Sequence, residues 1–396
     1  MVELKKGVYW VGVTDWDIRE FHGHELSTHR GSSYNAYLVV DEKIALIDTV
    51  WLPFKDIFLK RLSEIIDIAK IDYVVASHSE SDHSSSLPAI MELAPQATVI
   101  VSQNGRESFY RHYYKDWNFQ VVNTGDQVSL GSKELVFVEA KMLHWPDTLF
   151  SYLTKDNILF SNDAFGQHLA TSELFNDRVD QAEIMQEAVK YYANILTPFS
   201  RMVGKKIEEI KGMNLPLDMV APSHGVIWRE NPMQIIEKYE EWAKGVNEPR
   251  AVILFDTMWQ GTEKMAHAIA EGLDQVGVSY KIFNLAKSDR NDVITEVFKA
   301  RGILVGSPTF NNGILPTAAP VLEDLRGLKF TNKIGAAFGS YGWSGESVKL
   351  LEERLENAKI KIVQEGLRFK YQPSAEDRAQ CVDFGKRFGQ LIMDEA

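Results

Sequence analysis

Short runs of alternating apolar and polar residues dominate the chain up to residue 248, which is the pattern of half-buried β-strands. The predicted strands are residues 8–13, 35–40, 44–49, 71–76, 97–101, 120–122, 135–138, 149–153, 158–160 and 219–222. The predicted helices are residues 54–69, 104–113, a long segment 181–212 that Pro198 interrupts, 233–244, and one that opens at 84–88. This mixture predicts an αββα sandwich whose core is built mainly from strands.

The pattern changes after residue 248, where strands and helices begin to alternate one by one. The predicted strands are residues 251–255, 281–284, 302–306, 333–338 and 361–363. The predicted helices are residues 263–275, 291–299, 317–325, 345–357 and 376–392. Five strands that alternate with helices predict a doubly wound parallel sheet. We therefore predict two domains, residues 1–248 and residues 249–396.

Composition narrows the class of protein. The 396 residues are 45% hydrophobic and 25% charged, which is ordinary for a soluble protein of two or more domains. A net charge of −12 makes nucleic acid and anionic membranes poor partners. No apolar run is long enough for a transmembrane helix, and the N-terminal residues lack the apolar core of a signal peptide.

The chain has one cysteine, Cys381. This count excludes an internal disulfide and a cysteine-ligated iron–sulfur or rubredoxin-type centre within the chain. A reducing cytoplasm is therefore the expected location.

Residues 76–83, Ala-Ser-His-Ser-Glu-Ser-Asp-His, crowd four metal-capable side chains at the end of a predicted strand: His78, Glu80, Asp82 and His83. In an extended loop the first three would project to one side and His83 to a second point, which suits two metals. Imidazoles and carboxylates without sulfur suit iron, manganese or zinc. Similar polar runs also occur on solvated loops, so the hypothesis requires further ligands downstream.

Three later strand ends carry such candidates, namely His144, Asp163 and His224. Each follows an apolar run, and taken singly each could be a turn or capping residue. Together with the first cluster they make four histidines and three carboxylates, enough for three ligands per metal and one that is shared. Asp163, from its own strand, is the natural bridge. Two-metal sites of this kind hold the ions about 3.5–4 Å apart and leave positions open for substrate.

Three loops of the second domain could bind a phosphorylated flat ring. The loop after strand 251–255 leads into a helix, whose N-terminus attracts phosphate, and Thr257 and Thr262 add hydroxyl groups. The loops 305–313 and 338–345 contain glycines, which allow close approach of a ring. Trp259 or Trp343 could pack against its face. The alternative is that all three are ordinary strand–helix turns.

At this point the residues resemble a known family. The His-x-Glu-x-Asp-His motif, followed by His144, Asp163 and His224, resembles the metallo-β-lactamase fold in its flavodiiron branch. Hydrolases of that fold usually have histidine in place of Glu80 and bind zinc. A carboxylate there adds negative charge and a hard oxygen donor, which favours iron and a redox cycle.

The resemblance implies two irons, with or without an oxo or hydroxo bridge. One would be bound by His78, Glu80 and His144, the other by Asp82, His83 and His224, with Asp163 bridging. Some family members leave the residue at the His83 position off the metal. Segments around His22, His168 and Tyr192 resemble family segments that approach the metals and make these residues candidates for the substrate pocket, although each could equally be an ordinary core or loop residue.

The second domain resembles flavodoxin, which implies bound FMN. The FMN contacts expected from the three loops are Thr257, Met258, Trp259, Gln260, Gly261, Thr262, Ser307, Pro308, Thr309, Phe310, Asn311, Asn312, Gly313, Ser340, Tyr341, Gly342 and Trp343. The chain has no separate Gly-x-Gly-x-x-Gly nicotinamide motif, so NADH is not expected to be the direct electron donor.

The family reduces O2 to water or NO to N2O, and the residues leave the choice between the two gases open. Electrons would come from a separate protein, usually rubredoxin, or from reduced deazaflavin. Domains of these lengths have radii of gyration of roughly 18 and 15 Å. FMN and iron of one chain could therefore lie on the order of 30 Å apart, and we expect a head-to-tail homodimer, or a dimer of such dimers, that pairs one chain's FMN with the other's irons.

Two functions of other classes remain alternatives. One is a zinc hydrolase fused to a flavodoxin module, against which Glu80 argues. The other is an electron carrier whose first domain is structural, against which seven convergent metal-capable residues argue.

Overall fold

A computed structural model describes residues 2–394 and divides them between two units. The first contains the residues up to Tyr192 together with Arg201–Glu240, and the second contains Ala193–Ser200 and the residues from Glu241 onward. The segment Ala193–Ser200 joins the second unit through Asn194, whose side-chain amide donates to the Asn291 carbonyl (3.2 Å) and to Thr295 Oγ1 (3.1 Å). The domain boundary at residue 248 stays a prediction.

The chain before residue 248 contains sixteen strands and seven helices within the described residues. The strands are β1 Val2–Lys5, β2 Val8–Trp10, β3 Val13–Asp15, β4 Glu20–Phe21, β5 Leu26–Ser27, β6 Ser32–Tyr34, β7 Tyr37–Val40, β8 Ile44–Ile47, β9 Tyr73–Val75, β10 Thr98–Val101, β11 Phe119–Val121, β12 Gln127–Ser129, β13 Glu134–Glu139, β14 Leu149–Leu153, β15 Ile158–Asn162 and β16 Met219–Pro222. The helices are α1 Lys55–Ser63, α2 Ser81–Ser84, α3 Leu87–Leu93, α4 Gln103–Tyr113, α5 Gln181–Tyr191, α6 Ser200–Gly212 and α7 Met233–Ala243.

Two sheets pack face to face in the first unit. Seven strands form one sheet in the order β1-β2-β7-β8-β9-β10-β11, and five form the other in the order β12-β13-β14-β15-β16. One buried core joins their inner faces and includes Ile47 and Ile100 from the first sheet and Phe137 and Phe160 from the second. Burial of each such side chain contributes about 1.5–3 kcal/mol, so the core fixes the strand ends that carry the candidate ligands.

Two predicted helices differ from those observed. The helix predicted over 54–69 ends at Ser63, because the Asp67 side chain accepts from the Ala69 amide and caps a separate short turn over Ile68–Lys70. The predicted segment 181–212 is divided between α5 and α6 by a wide turn over Tyr192–Leu196 and a tight turn that contains Pro198. The interruption predicted at this proline is therefore present.

The second unit is a parallel sheet between helices. Its strands are β17 Glu248–Phe255, β18 Ser279–Asn284, β19 Ala300–Gly306, β20 Ile334–Tyr341, β21 Lys361–Ile362 and β22 Leu367–Lys370. Its helices are α8 Gly261–Gln275, α9 Arg290–Lys299, α10 Ala319–Leu328, α11 Ser347–Asn357 and α12 Ala375–Asp394.

The strand order of this sheet is β18-β17-β19-β20-β21, with every pair parallel and β22 also paired with β20. This is the 2-1-3-4-5 order of flavodoxin-like sheets. The sequence prediction contained five of the six strands and did not include β22, a short strand whose alternating residues are only half-buried.

Helices α8 and α12 approach each other through two glycines. A Cβ atom on Gly272 would collide with the Val382 carbonyl, and one on Gly385 would collide with the Ile269 carbonyl. Only glycine permits this backbone contact, which closes one face of the sheet. Among residues 2–394, no helix is both long and apolar enough to cross a membrane.

Candidate metal centre and flavin site

Seven metal-capable side chains converge at the strand ends of the first unit. His78 and Glu80 lie in the loop after β9, and Asp82 and His83 lie on the short helix α2 that follows. His144 lies between β13 and β14. Asp163 and His224 follow β15 and β16, which are parallel neighbours, so their carboxyl ends meet at one edge of the sheet.

The first group of side chains contains His78, Glu80 and His144. Glu80 Oε2 lies 3.2 Å from His78 Nε2 and 3.3 Å from His144 Nε2. Asp163 Oδ2 lies 3.1 Å from His78 Nε2 and 3.3 Å from His144 Nε2. Two imidazole nitrogens thus face two carboxylate oxygens around one point.

The second group contains Asp82, His83 and His224. Asp82 Oδ2 lies 2.9 Å from His83 Nε2 and 3.2 Å from His224 Nε2. Asp163 Oδ1 lies 2.9 Å from His83 Nε2 and 3.5 Å from His224 Nε2. The two oxygens of Asp163 therefore face different groups, which is the arrangement of a carboxylate shared by two cations.

The grouping corrects one expectation from the sequence. His78, Glu80 and Asp82 were expected to project to one side of an extended loop, but Asp82 faces the second group. The reason is that the chain turns into helix α2 at Ser81. On a helix, successive side chains do not alternate between two sides, and Asp82 is turned toward His224 with its neighbour His83.

The donor set fits divalent cations. The side chains of His78, His83, Asp163 and His224 are at most 2% exposed, and those of Glu80 and His144 are 13% and 12% exposed. Within residues 2–394, the oxygens of Asp82 and Asp163 and Nε2 of His83 have no hydrogen-bond partner, although they lie within ion-pair distance of one another. Buried carboxylates without hydrogen-bond partners require cations to balance their charge. Carboxylate and imidazole ligands together suit iron.

The carboxylates also change the acidity of the histidines. Burial lowers the pKa of His83, but Asp82 and Asp163 outweigh burial and raise it to about 10. For His144, burial likewise lowers the pKa, while the nearby carboxylates of Asp163 and Glu80 raise it to about 9. Protons on these imidazoles take the place of cations, so metal binding must release protons.

Polar side chains outside the two groups hold the ligand loops. Asp48 Oδ1 accepts from the Ser77 amide at 2.8 Å, next to His78. Asp147 Oδ2 accepts from the Ser79 amide at 3.0 Å, between His78 and Glu80. The sequence analysis missed both. Asp48 shows the pattern that predicts Asp163 as a site residue, because it is a polar residue that directly follows an apolar strand, β8.

His224 is fixed by a similar contact, because its Nδ1 donates to the Ser33 carbonyl at 2.6 Å. This hydrogen bond directs Nε2 at Asp82 and Asp163. Such outer contacts set the tautomer and orientation of a metal-binding histidine.

A cavity of about 480 Å³ opens onto Glu80 and Asp82. It is lined by Ile18, Glu20, Phe21, His22, Gly23, Tyr34, Trp51, Ser81 and Trp145 in addition to those two carboxylates. His22, a predicted pocket residue, lies at its wall, and its Nε2 is 2.7 Å from Glu80 Oε1. Glu80 thus directs one oxygen at the metal-capable histidines and the other at His22.

The other two predicted pocket residues lie in different surroundings. The His168 ring is 4.7 Å from the His224 ring, and its Nδ1 is 2.8 Å from Ser32 Oγ. Burial and the neighbouring His224 and His22 lower the pKa of His168 well below its usual range, so the ring is neutral. Tyr192 instead packs on Tyr239, with ring centres 5.0 Å apart.

The tyrosine that faces the metal-capable histidines is Tyr191. Its ring lies 5.0 Å from His168 and 6.2 Å from His224. Both tyrosines are buried, so helical spacing does not distinguish them; Tyr191 packs on His168, whereas Tyr192 packs on Tyr239.

The three predicted flavin loops all follow neighbouring strands of the second unit. They leave the carboxyl ends of β17, β19 and β20, which are adjacent in the sheet, so they share one edge. This edge is where open α/β sheets bind ligands. Thr257 Oγ1 in the first loop is buried and has no hydrogen-bond partner among the described residues, which leaves it available for a phosphate.

Four of the predicted contact residues already make hydrogen bonds within the protein. Thr262 is fully buried, and its Oγ1 lies 3.0 Å from Ser340 Oγ, which ties the first loop to the third. Thr309 Oγ1 donates to Ser347 Oγ at 3.1 Å. Both hydroxyls shape the loops. Ser307 Oγ likewise accepts from the Leu315 amide at 2.9 Å.

Gly261 begins helix α8, and a Cβ atom there would lie 2.8 Å from the Tyr371 carbonyl oxygen. The middle loop makes a tight hairpin in which Asn311 and Asn312 both have positive φ, the geometry of a type I′ turn. The remaining loop residues are Met258, Trp259, Gln260, Pro308, Phe310, Gly313, Tyr341, Gly342 and Trp343.

Aromatic side chains at this edge are unusually open to solvent. Trp259 is 82% exposed and Trp343 is 73% exposed. Large apolar side chains left this open mark a surface that binds a ligand or another protein. Their contact with FMN stays a prediction.

Comparison with known proteins supports both halves of this description. A family model described as ODP family beta lactamase matches residues 33–225, and a flavodoxin model matches residues 253–385. Together these matches span the metal-capable groups and most of the second unit.

Individual relatives match along the whole chain. The nitric oxide reductase of Moorella thermoacetica is 52% identical over 395 residues, which cover 99% of each chain. The solved structure of rubredoxin oxygen:oxidoreductase from Desulfovibrio gigas superposes with a TM-score of 0.97 at 37% identity and covers 99% of this chain and 98% of that one. The flavodiiron protein of Giardia intestinalis superposes with a TM-score of 0.93 at 32% identity, over 99% of this chain and 96% of that one. The chain therefore belongs to the flavodiiron family of oxidoreductases.

Proposed function

We propose that the protein reduces NO to N2O and O2 to water at a pair of irons in its first unit, with electrons delivered through FMN bound to its second unit. The observation that carries this proposal is Asp163, whose two oxygens each lie within 3.5 Å of two histidine nitrogens in separate groups. A shared carboxylate between two half-sites is the mark of a two-metal centre.

The chain's own residues have distinct roles in this proposal. His78, Glu80 and His144 would hold one iron, and Asp82, His83 and His224 the other, with one oxygen of Asp163 on each. Such a pair of irons would supply the electrons that reduce a diatomic gas. The protein positions the ligands, and the cavity beside Glu80 and Asp82 gives the gas access.

Three residues at or near the cavity could hold or move protons. His22 is hydrogen-bonded to the outer oxygen of Glu80. Burial, with added repulsion from Asp163 and Glu80, raises the pKa of Tyr191 well above its usual range, so its hydroxyl keeps its proton and can donate a hydrogen bond. His168 stays neutral and is anchored through Ser32.

The hydrolase alternative has less support. A zinc hydrolase of this fold would have a neutral imidazole at the position of Glu80, whereas Glu80 brings a third carboxylate to the two groups. The additional carboxylate is a hard, negatively charged oxygen donor, which favours iron and a redox cycle over hydrolytic zinc. The relatives named above carry reductase or flavodiiron names.

The first experiment is to measure the iron, zinc and FMN content of the protein purified without oxygen, and then to mix the reduced protein with NO and with O2. We expect two irons and one FMN per chain, and flavin that is reoxidised by both gases. NO is the first substrate to test, because the 52%-identical relative is named a nitric oxide reductase. Zinc in place of iron, together with reduced flavin that neither gas reoxidises, would overturn the proposal in favour of the hydrolase.

We further propose a head-to-tail homodimer in which the FMN of one chain serves the irons of the other. The exposed Trp259 and Trp343 beside the flavin loops support this arrangement, since a partner subunit would cover them. Two defective variants can test it: Asp163→Asn, which should lose metal, and Gly261→Val, which should lose FMN.

Mixed dimers of these two variants discriminate between the electron routes. If electrons cross between chains, one intact FMN–iron pair forms in each mixed dimer and activity returns. If electrons stay within one chain, each mixed dimer remains inactive, because neither chain has both cofactors. The dimer would also be refuted if light scattering showed a monomer and that monomer had full reductase activity.

The electron donor is proposed to be a separate rubredoxin. The single cysteine is buried in the second unit and cannot form a cysteine-ligated centre, and the Desulfovibrio gigas protein is named for this donor. The rates of FMN reduction by rubredoxin and by a reduced deazaflavin should be compared, and a faster deazaflavin reaction would replace this proposal. The buried thiol also fits a reducing compartment, and we propose the cytoplasm.

A further inference from the structure

A chain of aromatic rings leads away from the first group of metal-capable residues. The Trp145 ring lies 5.7 Å from the ring of His78, with the two planes nearly perpendicular. On its other side Trp145 lies 6.2 Å from the ring of His112. Trp145 also lines the cavity beside Glu80 and Asp82.

The contacts continue at the end of helix α4. The His112 ring lies 6.0 Å from Tyr113, and Tyr113 lies 5.6 Å from Trp117. His112 is exposed, and both Tyr113 and Trp117 are partly exposed. The series therefore runs without a gap from a candidate iron ligand to the protein surface, and all its members belong to the first unit.

A second contact ties this series to the other metal group. Tyr113 Oη lies 2.6 Å from Ser84 Oγ, and Ser84 directly follows His83. Because the single Ser84 hydroxyl proton is donated to the Ser79 carbonyl at 2.8 Å, Tyr113 is the donor in this pair. Tyr113 is thus held in a fixed position beside both ligand loops.

The spacing of the rings is that of aromatic pairs in contact, whose centres lie about 4.5–7 Å apart. Electron transfer between groups falls steeply with distance, so contacting rings carry charge that a gap of saturated atoms would block. Tryptophan and tyrosine are also the side chains of this series that lose an electron most readily. The arrangement is therefore suited to one-electron transfer, whereas packing alone would not require oxidisable side chains at both ends.

The reaction creates a need for such a path. Reduction of O2 to water consumes four electrons, and a centre that meets O2 when fewer electrons are available retains oxidising equivalents. We propose that Trp145, His112, Tyr113 and Trp117 conduct these equivalents from the metal centre to the surface and so protect the ligands from oxidation. This inference rests on the proposed reduction of O2 at the iron pair.

Electrons and protons balance when a soluble thiol is the final reductant. Trp145 gives one electron to the oxidised centre. An electron from Trp117 then reaches Trp145 across Tyr113 and His112 and replaces the one that was lost. Trp117 then releases its indole N–H proton to water. A thiol returns one electron and one proton to Trp117, and two oxidised thiols combine into one disulfide. The four rings end unchanged, and the centre has gained one electron.

Peptide mass spectrometry tests the path directly. The iron- and FMN-loaded protein, supplied with too few electrons, is exposed to O2 in thiol-free buffer, and oxidised tryptophan and tyrosine are located. We expect oxidation at Trp145, Tyr113 and Trp117. Tyr114 is the matched control, because it neighbours Tyr113 in sequence and is 73% exposed but contacts Tyr110 instead.

Oxidation that instead follows exposure, with Tyr114 and the 55%-exposed Trp16 modified first, would overturn the inference. Trp145→Phe should reduce oxidation at Tyr113 and Trp117 to the level of metal-free protein, and Trp16→Phe should leave it unchanged. Equal oxidation of Tyr113 in both variants would also contradict the path. An added thiol should suppress the oxidised peptides in the unmodified protein.

The outcome separates this inference from the proposed function. If O2 does not reoxidise the flavin at all, the proposed function fails and the path fails with it. If the flavin is reoxidised but the oxidised residues follow exposure, only the path fails.

Discussion

The metal centre and the flavin site are built from different parts of the chain. The metal centre consists of side chains, and five of its seven members are less than 9% exposed, while the side chains of Glu80 and His144 are 13% and 12% exposed. The predicted flavin site lies on loops at three strand ends, and two tryptophans of these loops are among the most exposed large side chains of the described residues.

This difference has a physical cause. A cation pair requires charged ligands from several loops in fixed positions, so the protein buries them and holds their loops through groups such as Asp48 and Asp147. A phosphate and a flat ring need only backbone N–H groups, small residues and an accessible edge. We therefore expect the two sites to respond separately to substitution, and the predictions below test that separation.

The largest effect is expected for Asp163→Asn. The substitution removes the charge and one oxygen that the two groups share, so affinity for both metals should fall by at least about 100-fold, the upper range for lost supporting contacts. FMN content should not change. Metal analysis after dialysis against a chelator measures the first quantity, and flavin absorbance measures the second.

Asp116→Asn, at an exposed carboxylate, is the control for this substitution. Retention of both irons in Asp163→Asn would show that Asp163 does not bridge them.

A change in the kind of metal is expected for Glu80→His. An imidazole replaces a hard carboxylate and the first group loses one negative charge, so zinc should displace iron as the dominant metal. The flavin should still bind but should no longer be reoxidised by NO or O2. Iron and zinc are measured in protein expressed with both metals in the medium.

Glu42→His, at an exposed glutamate away from the two groups, tests whether an added histidine alone recruits zinc. An iron-loaded, active Glu80→His protein would mean that this carboxylate does not select the metal.

Gly261→Ala should affect the flavin site alone. The added Cβ would lie 2.8 Å from the Tyr371 carbonyl and 2.9 Å from Ser340 Oγ, so the first loop must shift. We expect FMN affinity to fall about tenfold, which corresponds to about 1.4 kcal/mol. Fluorescence titration of the FMN-depleted protein measures the affinity, and iron content should remain two per chain.

Gly327→Ala is the matched control, because a Cβ atom there meets no atom within 4 Å. This change in helix α10 should raise the free energy of unfolding by about 0.5–1 kcal/mol without weakening FMN binding. Equal affinities in the two variants would show that the close approach at Gly261 does not shape the flavin site.

The smallest functional effect is expected for Lys333→Met, which tests stability of the second unit without touching either site. Lys333 Nζ donates to the carbonyls of Val246, Phe298 and Ala300 at 2.6–2.7 Å. Methionine leaves these acceptors unpaired, so the free energy of unfolding of this unit should fall by roughly 1–3 kcal/mol. Thermal release of FMN reports the loss, and Lys287→Met, at an exposed lysine, is the control.

The same lysine predicts a pH dependence. Burial lowers the pKa of Lys333 to about 7, below its value in an unfolded chain of about 10.4. Between these two values the unfolded chain binds more protons, so the free energy of unfolding of this unit should rise as pH increases from 7 to 10. Denaturant titrations should show that rise in the unmodified protein and a smaller one in Lys333→Met. Identical slopes would mean that Lys333 keeps its proton when buried.

The two sites also differed in how well the sequence predicted them. All seven metal-capable residues stood out because polar side chains rarely follow apolar strands without a reason, and the structure brings all seven together. The flavin loops could be located in the same way, from polar residues at strand ends. The sequence could not show which of their hydroxyl groups are free to bind FMN. Thr262 and Thr309 are bonded within the protein, whereas Thr257 has a free hydroxyl.

Two differences between the sequence expectations and the structure have local causes. The sequence predicts Tyr192 in the pocket, but Tyr191 is the tyrosine that packs on His168; both are buried, so only their ring contacts distinguish them. An extended loop would direct Asp82 to the side of Glu80, whereas the family resemblance places it with His83 and His224, as the structure does. One turn of helix at Ser81–Ser84 changed the direction of the side chain.

The sequence by itself determined the kinds of chemistry available, the order of strands and helices in two domains, and the residues able to bind metal, because composition and periodicity are local properties of the chain. Only the tertiary structure decided which oxygen of Asp163 faces which histidine pair, that Glu80 is shared with His22, and that Trp145 begins a chain of rings to the surface. These relations join residues far apart in the chain, and their distances exist only after the two sheets have packed around a common core.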